Sequence, residues 1–270
     1  MDERGWILPE WPAPSNVRAL ITTRAGGVSD PPYGAAPGVG QGMNLGLGAG
    51  DDPDAVLSNR ARLRTTLAGE PRWLRQVHGS TVVDAATAVE PVSADASFTD
   101  ATGVIAAAMI ADCMPVLLTD TRGRCVGIAH AGWRGLAAGV IQATARAMRD
   151  RIGEPAAQLL AYLGPAIGPR HFEVGAEVMT AMREVLPAAP AAFVPLGPCK
   201  FLADLFALGR QALAQVGVSR VYGGSDCTYS DPARFYSYRR DGVTGRHAAV
   251  IWKVREGASA KSAPGHDDPV

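Results

Sequence analysis

The chain has 270 residues, with 26 Lys or Arg residues balanced by 26 Asp or Glu residues, so its formal net charge is zero. This balance argues against a nucleic-acid backbone or an anionic membrane surface as the partner. Hydrophobic residues make up 47% of the chain and charged residues 19%. That composition excludes general disorder and favours a folded globular protein.

The sequence also shows no clear targeting signal. None of its apolar stretches approaches the ~20 residues that span a bilayer, and its acidic start has no apolar signal region. The four Cys show no CxxC spacing, so we expect reduced thiols and a cytoplasmic protein.

The predicted elements are short strands interleaved with amphipathic helices. Tight turns pair several strands, and regular strand–helix–strand crossovers are not sustained, which favours an α+β fold over a doubly wound α/β sheet. We expect one domain over residues 1–255 and a frayed tail over 256–270. In chain order, the sequence predicts a strand at 17–23, a helix at 52–67, strands at 73–77, 81–84, 104–110, 116–119 and 125–129, a helix at 135–152, a strand at 159–163, helices at 173–186 and 202–216, and strands at 218–222 and 248–252.

Three segments each place one metal-ligand residue where an apolar strand runs into a loop marked by Gly or Pro. They are Gln-Val-His-Gly with His78, Ala-Asp-Cys-Met-Pro with Cys113, and His-Ala-Gly-Trp-Arg-Gly with His130. Two imidazoles and one thiolate suit Zn²⁺ and leave a fourth position open, as in catalytic sites. Asp112 is then a candidate orienting group or proton carrier.

Other interpretations of the same residues remain open. Cys113 and His130 could instead be the nucleophile and base of a cysteine hydrolase, because a metal-bound thiolate is a poor nucleophile. The ligands are 35 and 17 positions apart along the chain, so no local spacing excludes ordinary hydrogen-bonded histidines and an inert small cysteine.

Candidate anion-binding groups lie in Gly-rich segments. The loop Gly-Pro-Ala-Ile-Gly-Pro at 164–169 could cradle an oxyanion with its amides. Arg24 and Arg134 lie in Gly-rich turns, and each could hold a phosphate through its guanidinium group. The simpler interpretation of each is a solvated arginine on the surface. Trp133 offers a flat face for a purine or phenol, or packs in the core. The aromatic and basic run at 235–242 is predicted to form a strand and hairpin that lines one wall of a site.

Together these segments resemble the YfiH-like proteins, described both as multicopper polyphenol oxidoreductase laccases and as purine nucleoside phosphorylases. The resemblance covers about residues 15–253. The motifs that carry it are Thr-Thr-Arg-Ala-Gly-Gly-Val-Ser at 22–29, Asn-Leu-Gly at 44–46, Gly-Asp-Asp-Pro at 50–53, Gln-Val-His-Gly at 76–79, Ala-Asp-Cys at 111–113, His-Ala-Gly-Trp-Arg-Gly at 130–135, Phe-Glu-Val-Gly at 172–175 and Tyr-Arg-Arg at 238–240.

The resemblance implies a β-sandwich core flanked by helices, similar also to the catalytic domain of cytotoxic necrotizing factors. It implies a Zn²⁺ site, which copper could also occupy, formed by His78, Cys113 and His130. It implies phosphorolysis of adenosine, inosine, guanosine and methylthioadenosine, with deamination of adenosine, by a monomer or small homo-oligomer. The residues expected to act are Asp112, Cys113, His130 and Arg134 in catalysis, and Arg24, Asn44, Gln76, Trp133, Gly164 and Glu173 in binding nucleoside or phosphate.

The laccase description implies a different chemistry. Two His and a Cys with Met114 as an axial ligand would suit a blue-copper site. A multicopper oxidase also needs a trinuclear cluster with several further His ligands, and five His in the whole chain cannot build both. We therefore expect any phenol oxidation to be weak and to come from copper in the zinc site.

Overall fold

The structure, a computed structural model, describes residues 5–35, 40–89 and 91–255, so the tail predicted at 256–270 lies outside the described residues. The strands are β1 Val17–Ile21, β2 Ala25–Ser29, β3 Pro71–Arg72, β4 Val82–Asp84, β5 Ala96–Thr99, β6 Ile105–Ile110, β7 Met114–Asp120, β8 Val126–Ala131, β9 Leu159–Leu163, β10 Glu173–Gly175, β11 Phe193–Gly197, β12 Lys200–Ala203, β13 Arg220–Gly223 and β14 His247–Lys253. The helices are α1 Pro53–Arg64, α2 Trp133–Ala137, α3 Val140–Ile152, α4 Ala176–Val185, α5 Leu205–Gln215 and α6 Tyr238–Asp241.

Most strands belong to three sheets. A four-stranded sheet has the order β1-β14-β6-β3, and a six-stranded sheet has the order β13-β9-β7-β8-β5-β4. A small third sheet has the order β10-β12-β11. The central pairs β14–β6, β7–β8 and β7–β9 are antiparallel. Parallel pairs occur at the edges, between β13 and β9, β4 and β5, and β3 and β6.

The two larger sheets pack face to face. Ala106, Ala108 and Ile110 of β6 share a buried cluster with Leu117 of β7 and Ile128 of β8. Successive side chains of a strand point to opposite faces of the sheet. This alternation turns one face of each sheet toward the other and leaves the remaining residues for the outer faces.

Helices cover both outer faces of this sandwich. Ile105 and Ala107 lie in a second buried cluster with Leu63 of α1. Val116 and Leu118 lie in a third cluster with the apolar sides of α2–α5. The predicted α+β fold, with a β-sandwich flanked by helices, is therefore confirmed.

Several element boundaries differ from the prediction. The helix predicted at 135–152 is divided by Gly139, whose φ of +79° lies in the left-handed region that glycine adopts without strain. The helices predicted at 173–186 and 202–216 begin later, because their first residues form β10 and β12. Within the run at 235–242, predicted as a strand and hairpin, residues 238–241 form α6 instead, because the Ser237 side chain caps a helical turn.

The helix predicted at 52–67 begins as expected. Asp52 is its N-cap, with a side-chain oxygen that accepts a hydrogen bond from the Asp54 amide, and Pro53 occupies the first helical position. Within the described ranges, α3 is the longest helix at 13 residues, and no helix is long and apolar enough to cross a lipid bilayer.

His247, at the start of β14, is a buried structural histidine. Its Nε2 accepts a hydrogen bond from the Tyr236 amide at 2.9 Å, and its Nδ1 lies 3.2 Å from the Ile110 carbonyl oxygen. An Nε2 that accepts a hydrogen bond carries no proton, so the ring is held neutral. Burial lowers the pKa of His247 to about 3.

This burial predicts a pH-dependent stability. Between pH 3 and 6.5 the unfolded chain protonates this imidazole and the folded chain does not, so stability falls as the pH drops through that window. Between pH 7 and pH 5 the expected loss from this residue is about 2 kcal/mol. Urea unfolding at both pH values checks it against His247→Gln, which cannot titrate and should lose less stability on acidification. Equal losses in the two proteins would contradict the prediction.

Candidate active site

The site lies where the chain crosses from one large sheet to the other. β6 belongs to the four-stranded sheet and β7 to the six-stranded sheet, so residues 111–113 carry the chain between them. Cys113 ends this crossover, His130 lies near the end of β8, and His78 lies in the loop between β3 and β4. One ligand atom from each lies within 4.8 Å of the others, so the predicted trio is brought together.

A buried carboxylate that sequence analysis missed lies behind the trio. Asp95, fully buried just before β5, accepts a hydrogen bond from His130 Nδ1 at 2.9 Å. Its oxygens also accept the backbone N–H groups of residues 77, 78 and 79 at 3.1, 2.9 and 2.7 Å. Because Nδ1 of His130 is engaged, its Nε2 is the nitrogen left for a metal.

Two residues at the site adopt backbone conformations that are unfavourable for side chains with a Cβ. His78 has a φ of +61°, and Asp112 has a φ of +90°. Such left-handed conformations are uncommon outside glycine and are kept where surrounding contacts over-determine them. Here the contacts are visible, since Asp95 holds the His78 amide and the Asp112 carbonyl accepts the Ile167 amide.

The electrostatics of the trio place a thiolate beside a protonated imidazole in the metal-free protein. Burial by itself raises the pKa of the Cys113 thiol, but the neighbouring His130 and His78 rings more than offset it and lower that pKa to about 6. For His130, burial opposes protonation, whereas the Cys113 thiolate and the Asp95 carboxylate raise its pKa above the usual range. A thiolate and two imidazole nitrogens form a donor set that fits Zn²⁺, which would displace the proton held by His130 on binding.

Asp112 has both carboxylate oxygens engaged. Oδ1 accepts the Thr228 hydroxyl at 2.6 Å, and Oδ2 accepts the Arg239 amide at 2.7 Å. The side chain lines the cavity but is tied to two other loops. The structure thus supports an orienting role, in which Asp112 holds the Cys113 crossover against the α6 segment.

A cavity of about 960 Å³ opens in front of the trio. Gln76, Trp133 and Arg134, all predicted from the sequence to contact substrate, lie on its wall. The Arg134 guanidinium lies 4.4 Å from the Trp133 ring centroid, over its face. The Gln76 side chain bonds both polar groups of the Met109 backbone, at 2.7 and 2.8 Å, and so fixes the His78 loop against the end of β6.

Arginines that sequence analysis had not assigned also line this cavity. They include Arg239 and Arg246, and the side chain of each donates from Nη1 to backbone carbonyls. Among the residues that the structure describes, no carboxylate pairs with Arg134, Arg239 or Arg246. The pKa of Arg246 is lowered by burial, and the negative charges of Cys113 and Asp112 offset part of that shift. Unneutralised guanidinium groups around a cavity favour an anionic ligand.

Four predicted binding residues lie outside this cavity wall. Arg24 is buried elsewhere, where it donates to the Gly34 and Pro232 carbonyls and lies over the Tyr236 ring. Glu173 is exposed and pairs with Lys200 at 2.6 Å. Their side chains serve local structure, and the structure places both outside this cavity wall.

The other two, Gly164 and Asn44, make structural contacts outside the cavity wall. Gly164 packs so tightly that a Cβ would lie 2.6 Å from Pro115 Cγ. The Asn44 side-chain oxygen accepts the amides of Gly46 and Arg246 at 3.0 and 2.8 Å. Asn44 therefore holds two cavity-wall segments together rather than contacting the cavity itself.

The sequence carried few signals for the residues it missed. Asp95 is a single acidic residue between two alanines, and its role depends on loops that are far away in the chain. The run at 235–242 was expected to wall a site, and Tyr238 and Arg239 do line the cavity, although from a helix.

The described histidines outside the trio cannot complete a copper cluster. His171 stacks on Tyr229, with ring centroids 4.4 Å apart, and His247 is hydrogen-bonded in the core. Within the described residues, the trio is the one group of His, Cys, Asp or Glu with metal-binding geometry. Met114, the candidate axial ligand, is fully buried and packs its terminal methyl against Gly209 of α5.

Gly132 leaves room for a metal. A Cβ at this position would lie 2.6 Å from Cys113 Sγ and 3.4 Å from His78 Cδ2. Its φ of −73° and ψ of 169° are open to alanine, so Gly132→Ala should crowd the ligands without backbone strain. We expect at least a tenfold loss of Zn²⁺ affinity, or about 1.4 kcal/mol, measured by competition with a chelator.

Gly197→Ala is the matched control for this prediction. A Cβ at Gly197 meets nothing within 4 Å, and its φ lies outside the left-handed region. This variant should bind Zn²⁺ as the parent does. Unchanged affinity in Gly132→Ala would show that the ligands do not meet a metal where the structure brings them together.

Comparison with known proteins supports a family assignment. The family model described as multi-copper polyphenol oxidoreductase laccase matches residues 18–254. A purine nucleoside phosphorylase of Pseudomonas aeruginosa is 50% identical over 248 residues, which cover 92% of this chain and 98% of that protein. The purine nucleoside phosphorylase YfiH of Escherichia coli is 47% identical over 253 residues, with 92% and 98% covered.

A solved structure agrees with these sequence relatives. The crystal structure of a Neisseria meningitidis protein matches with a TM-score of 0.85 at 47% identity, over 92% of this chain and 99% of that chain. These comparisons agree on the family: two relatives are near 50% identity, the family model covers most of the chain, and the solved structure shares the fold. The chain belongs to the YfiH-like family, which the laccase model describes and which includes these purine nucleoside phosphorylases.

Proposed function

We propose that this protein is a Zn²⁺-dependent purine nucleoside phosphorylase that accepts adenosine, inosine, guanosine and methylthioadenosine and also deaminates adenosine. The observation that carries the proposal is a single cavity that joins the His78–Cys113–His130 trio to arginines without carboxylate partners. The relatives named purine nucleoside phosphorylase support the same activity.

The arginines supply the anion site that phosphorolysis requires. In this reaction a phosphate oxygen replaces the purine at the sugar C1′, so the enzyme must hold an anion beside a neutral nucleoside. Arg134, Arg239 and Arg246 present guanidinium groups to one cavity, and guanidinium groups bind phosphate bidentately. Holding phosphate and nucleoside together converts a bimolecular step into one between oriented neighbours.

Flat apolar side chains supply a place for the base. Trp133, Phe172 and Tyr238 line the cavity, together with the apolar side chains of Met109 and Ile167. Aromatic faces stack on bases and favour them in a partly desolvated pocket. The volume of about 960 Å³ lies in the range of small-molecule sites and can admit a nucleoside with phosphate.

His78, Cys113 and His130 would hold the metal, with Asp95 fixing the ring of His130. When bound, Zn²⁺ supplies Lewis acidity at its open position. Copper is higher in the affinity series for such ligands, so it could occupy the same site. The protein's own contribution is a wall of aromatic side chains with the guanidinium groups of Arg134, Arg239 and Arg246 beside them.

The proposal is tested by a product assay with elemental analysis of the purified protein. We expect about one Zn²⁺ per chain, free base and sugar 1-phosphate from each of the four nucleosides only when phosphate is present, and inosine from adenosine without phosphate. Zn²⁺-loaded protein that releases no base from any of them contradicts the phosphorylase. Absence of inosine contradicts only the deaminase.

A second candidate is a cysteine hydrolase or deamidase, and one observation favours it. Without a metal, Cys113, His130 and Asp95 form a thiolate, an imidazole and an orienting carboxylate in the order that nucleophilic catalysis uses. Alkylation of Cys113 separates the two functions. Zn²⁺ should protect the thiol if the metal site is the working state, whereas a hydrolase should stay active in chelator and be inactivated by the alkylating agent.

A further inference from the structure

Asp95 stands out because one side chain contacts two of the three segments that supply the ligand trio. It is fully buried, and it accepts four hydrogen bonds. Three come from consecutive amides of the 77–79 loop, and the fourth comes from the His130 ring. None of these donors lies on the segment that carries Asp95, so its contacts join elements that are distant in the chain.

We propose that Asp95 is the positioning residue of this site and fixes both imidazoles before a metal or substrate arrives. Asp95 acts on His130 through the ring, since its contact with Nδ1 turns Nε2 toward Cys113. It acts on His78 through the backbone, since its hydrogen bonds to the amides of residues 77–79 hold His78 at a φ of +61°. The inference rests on the metal-binding part of the proposed function and adds the group that shapes it.

The chemistry of the carboxylate explains why a neutral side chain would not serve here. Four donors point at one pair of oxygens, and only an ionised carboxylate is acceptor-only on both atoms. An asparagine would turn an NH₂ group toward backbone N–H groups or toward His130, which leaves buried donors unpaired. The hydrogen bonds from the amides of residues 77–79 would weaken. The backbone conformation that brings His78 within reach of Cys113 would then be less stable.

The chain offers a closely matched control in Asp120, at the far end of β7. It is also fully buried, and its oxygens accept three backbone amides, those of Arg122, Arg124 and Cys125, and one side-chain N–H from Arg124. Cys113 and Asp120 are at opposite ends of that strand, about 20 Å apart at the usual rise per residue. Asp120→Asn therefore removes the same kind of buried acceptor without touching the trio.

The experiment measures Zn²⁺ affinity by competition with a chelator, and stability by urea unfolding, for the parent, Asp95→Asn and Asp120→Asn in the full chain. We expect both variants to lose stability and only Asp95→Asn to lose Zn²⁺ affinity, by about 10- to 100-fold. Equal Zn²⁺ affinity in Asp95→Asn and the parent would overturn the proposal. So would an equal loss in both variants, because the effect would then follow general destabilisation.

A second measurement applies if Asp95→Asn does not fold. Hydrogen exchange of the metal-free parent should show slow exchange at the amides of residues 77–79, because Asp95 holds them without a metal. Fast exchange there would overturn the inference that the site is set beforehand. If the parent itself binds no Zn²⁺, the proposed function fails, whereas tight binding by both the parent and Asp95→Asn defeats only the role of Asp95.

Discussion

Replacement of Cys113 by serine is expected to abolish stoichiometric Zn²⁺ binding and to lower kcat/KM for inosine phosphorolysis by about a thousandfold. The thiolate is the one anionic donor in the trio, and its pKa of about 6 keeps it ionised at neutral pH. Serine in its place offers a neutral hydroxyl that metals hold weakly. Loss of about 4 kcal/mol of transition-state stabilisation corresponds to the stated thousandfold effect.

Cys199→Ser is the control for this substitution. Cys199 is an exposed thiol between β11 and β12, outside the cavity wall, so the same chemical change there should leave metal content and turnover as in the parent. Elemental analysis and steady-state kinetics on both variants measure the effect. A Cys113→Ser protein that keeps one Zn²⁺ per chain would show that the thiolate is not a ligand.

Replacement of Arg246 by glutamine is expected to raise the KM for phosphate by about 10- to 100-fold, with a much smaller change in the KM for the nucleoside. Its Nη1 is committed to the carbonyls of residues 244 and 245, which leaves the rest of the guanidinium for a ligand. A hydrogen bond to a charged partner is worth about 1.5–3 kcal/mol, which gives the stated range. Lysine would not substitute well, because it lacks the planar fork.

The backbone around Arg246 makes the substitution specific. Asn44 clamps the Arg246 amide from outside the cavity, and the side-chain stem packs over Gly46. Arg170→Gln is the control, since Arg170 is exposed and lies outside this cavity wall. Initial rates over a phosphate series at saturating inosine measure the KM for phosphate. Rates over an inosine series at saturating phosphate measure the KM for the nucleoside. A rise in both KM values by the same factor would instead place Arg246 in general shaping of the site.

The local elements were largely predictable where one physical signal dominates. The Asp-Pro pair at 52–53 sets the start of α1, because an N-cap followed by proline satisfies the first helical turn from within the sequence. The central strands β6 to β9 read as apolar runs because both of their faces are buried. The prediction failed at β10 and β12, where two short strands of the small third sheet take over residues with helical periodicity.

The site residues also divide into those that local sequence selected correctly and those that it did not. The residues selected correctly follow or end predicted strands in segments marked by Gly or Pro, so residue type and local context were enough to select His78, Cys113, His130, Trp133 and Arg134. Arg24 and Glu173 were selected by the same logic and lie elsewhere, because an arginine in a turn or an acid before a helix looks alike whether or not it faces a cavity. Sequence context gives the chemistry of a side chain and not its direction.

By itself, the sequence determined the α+β class and selected the set of soft ligands, since each depends on composition, periodicity or residue type. Only the tertiary structure decided that a lone Asp95 orients the trio and that Arg239 and Arg246 complete the cavity. Those roles depend on contacts between segments tens to hundreds of residues apart, such as Asn44 with Arg246. Contacts of that kind are fixed by how two sheets pack, and no local pattern in the chain encodes them.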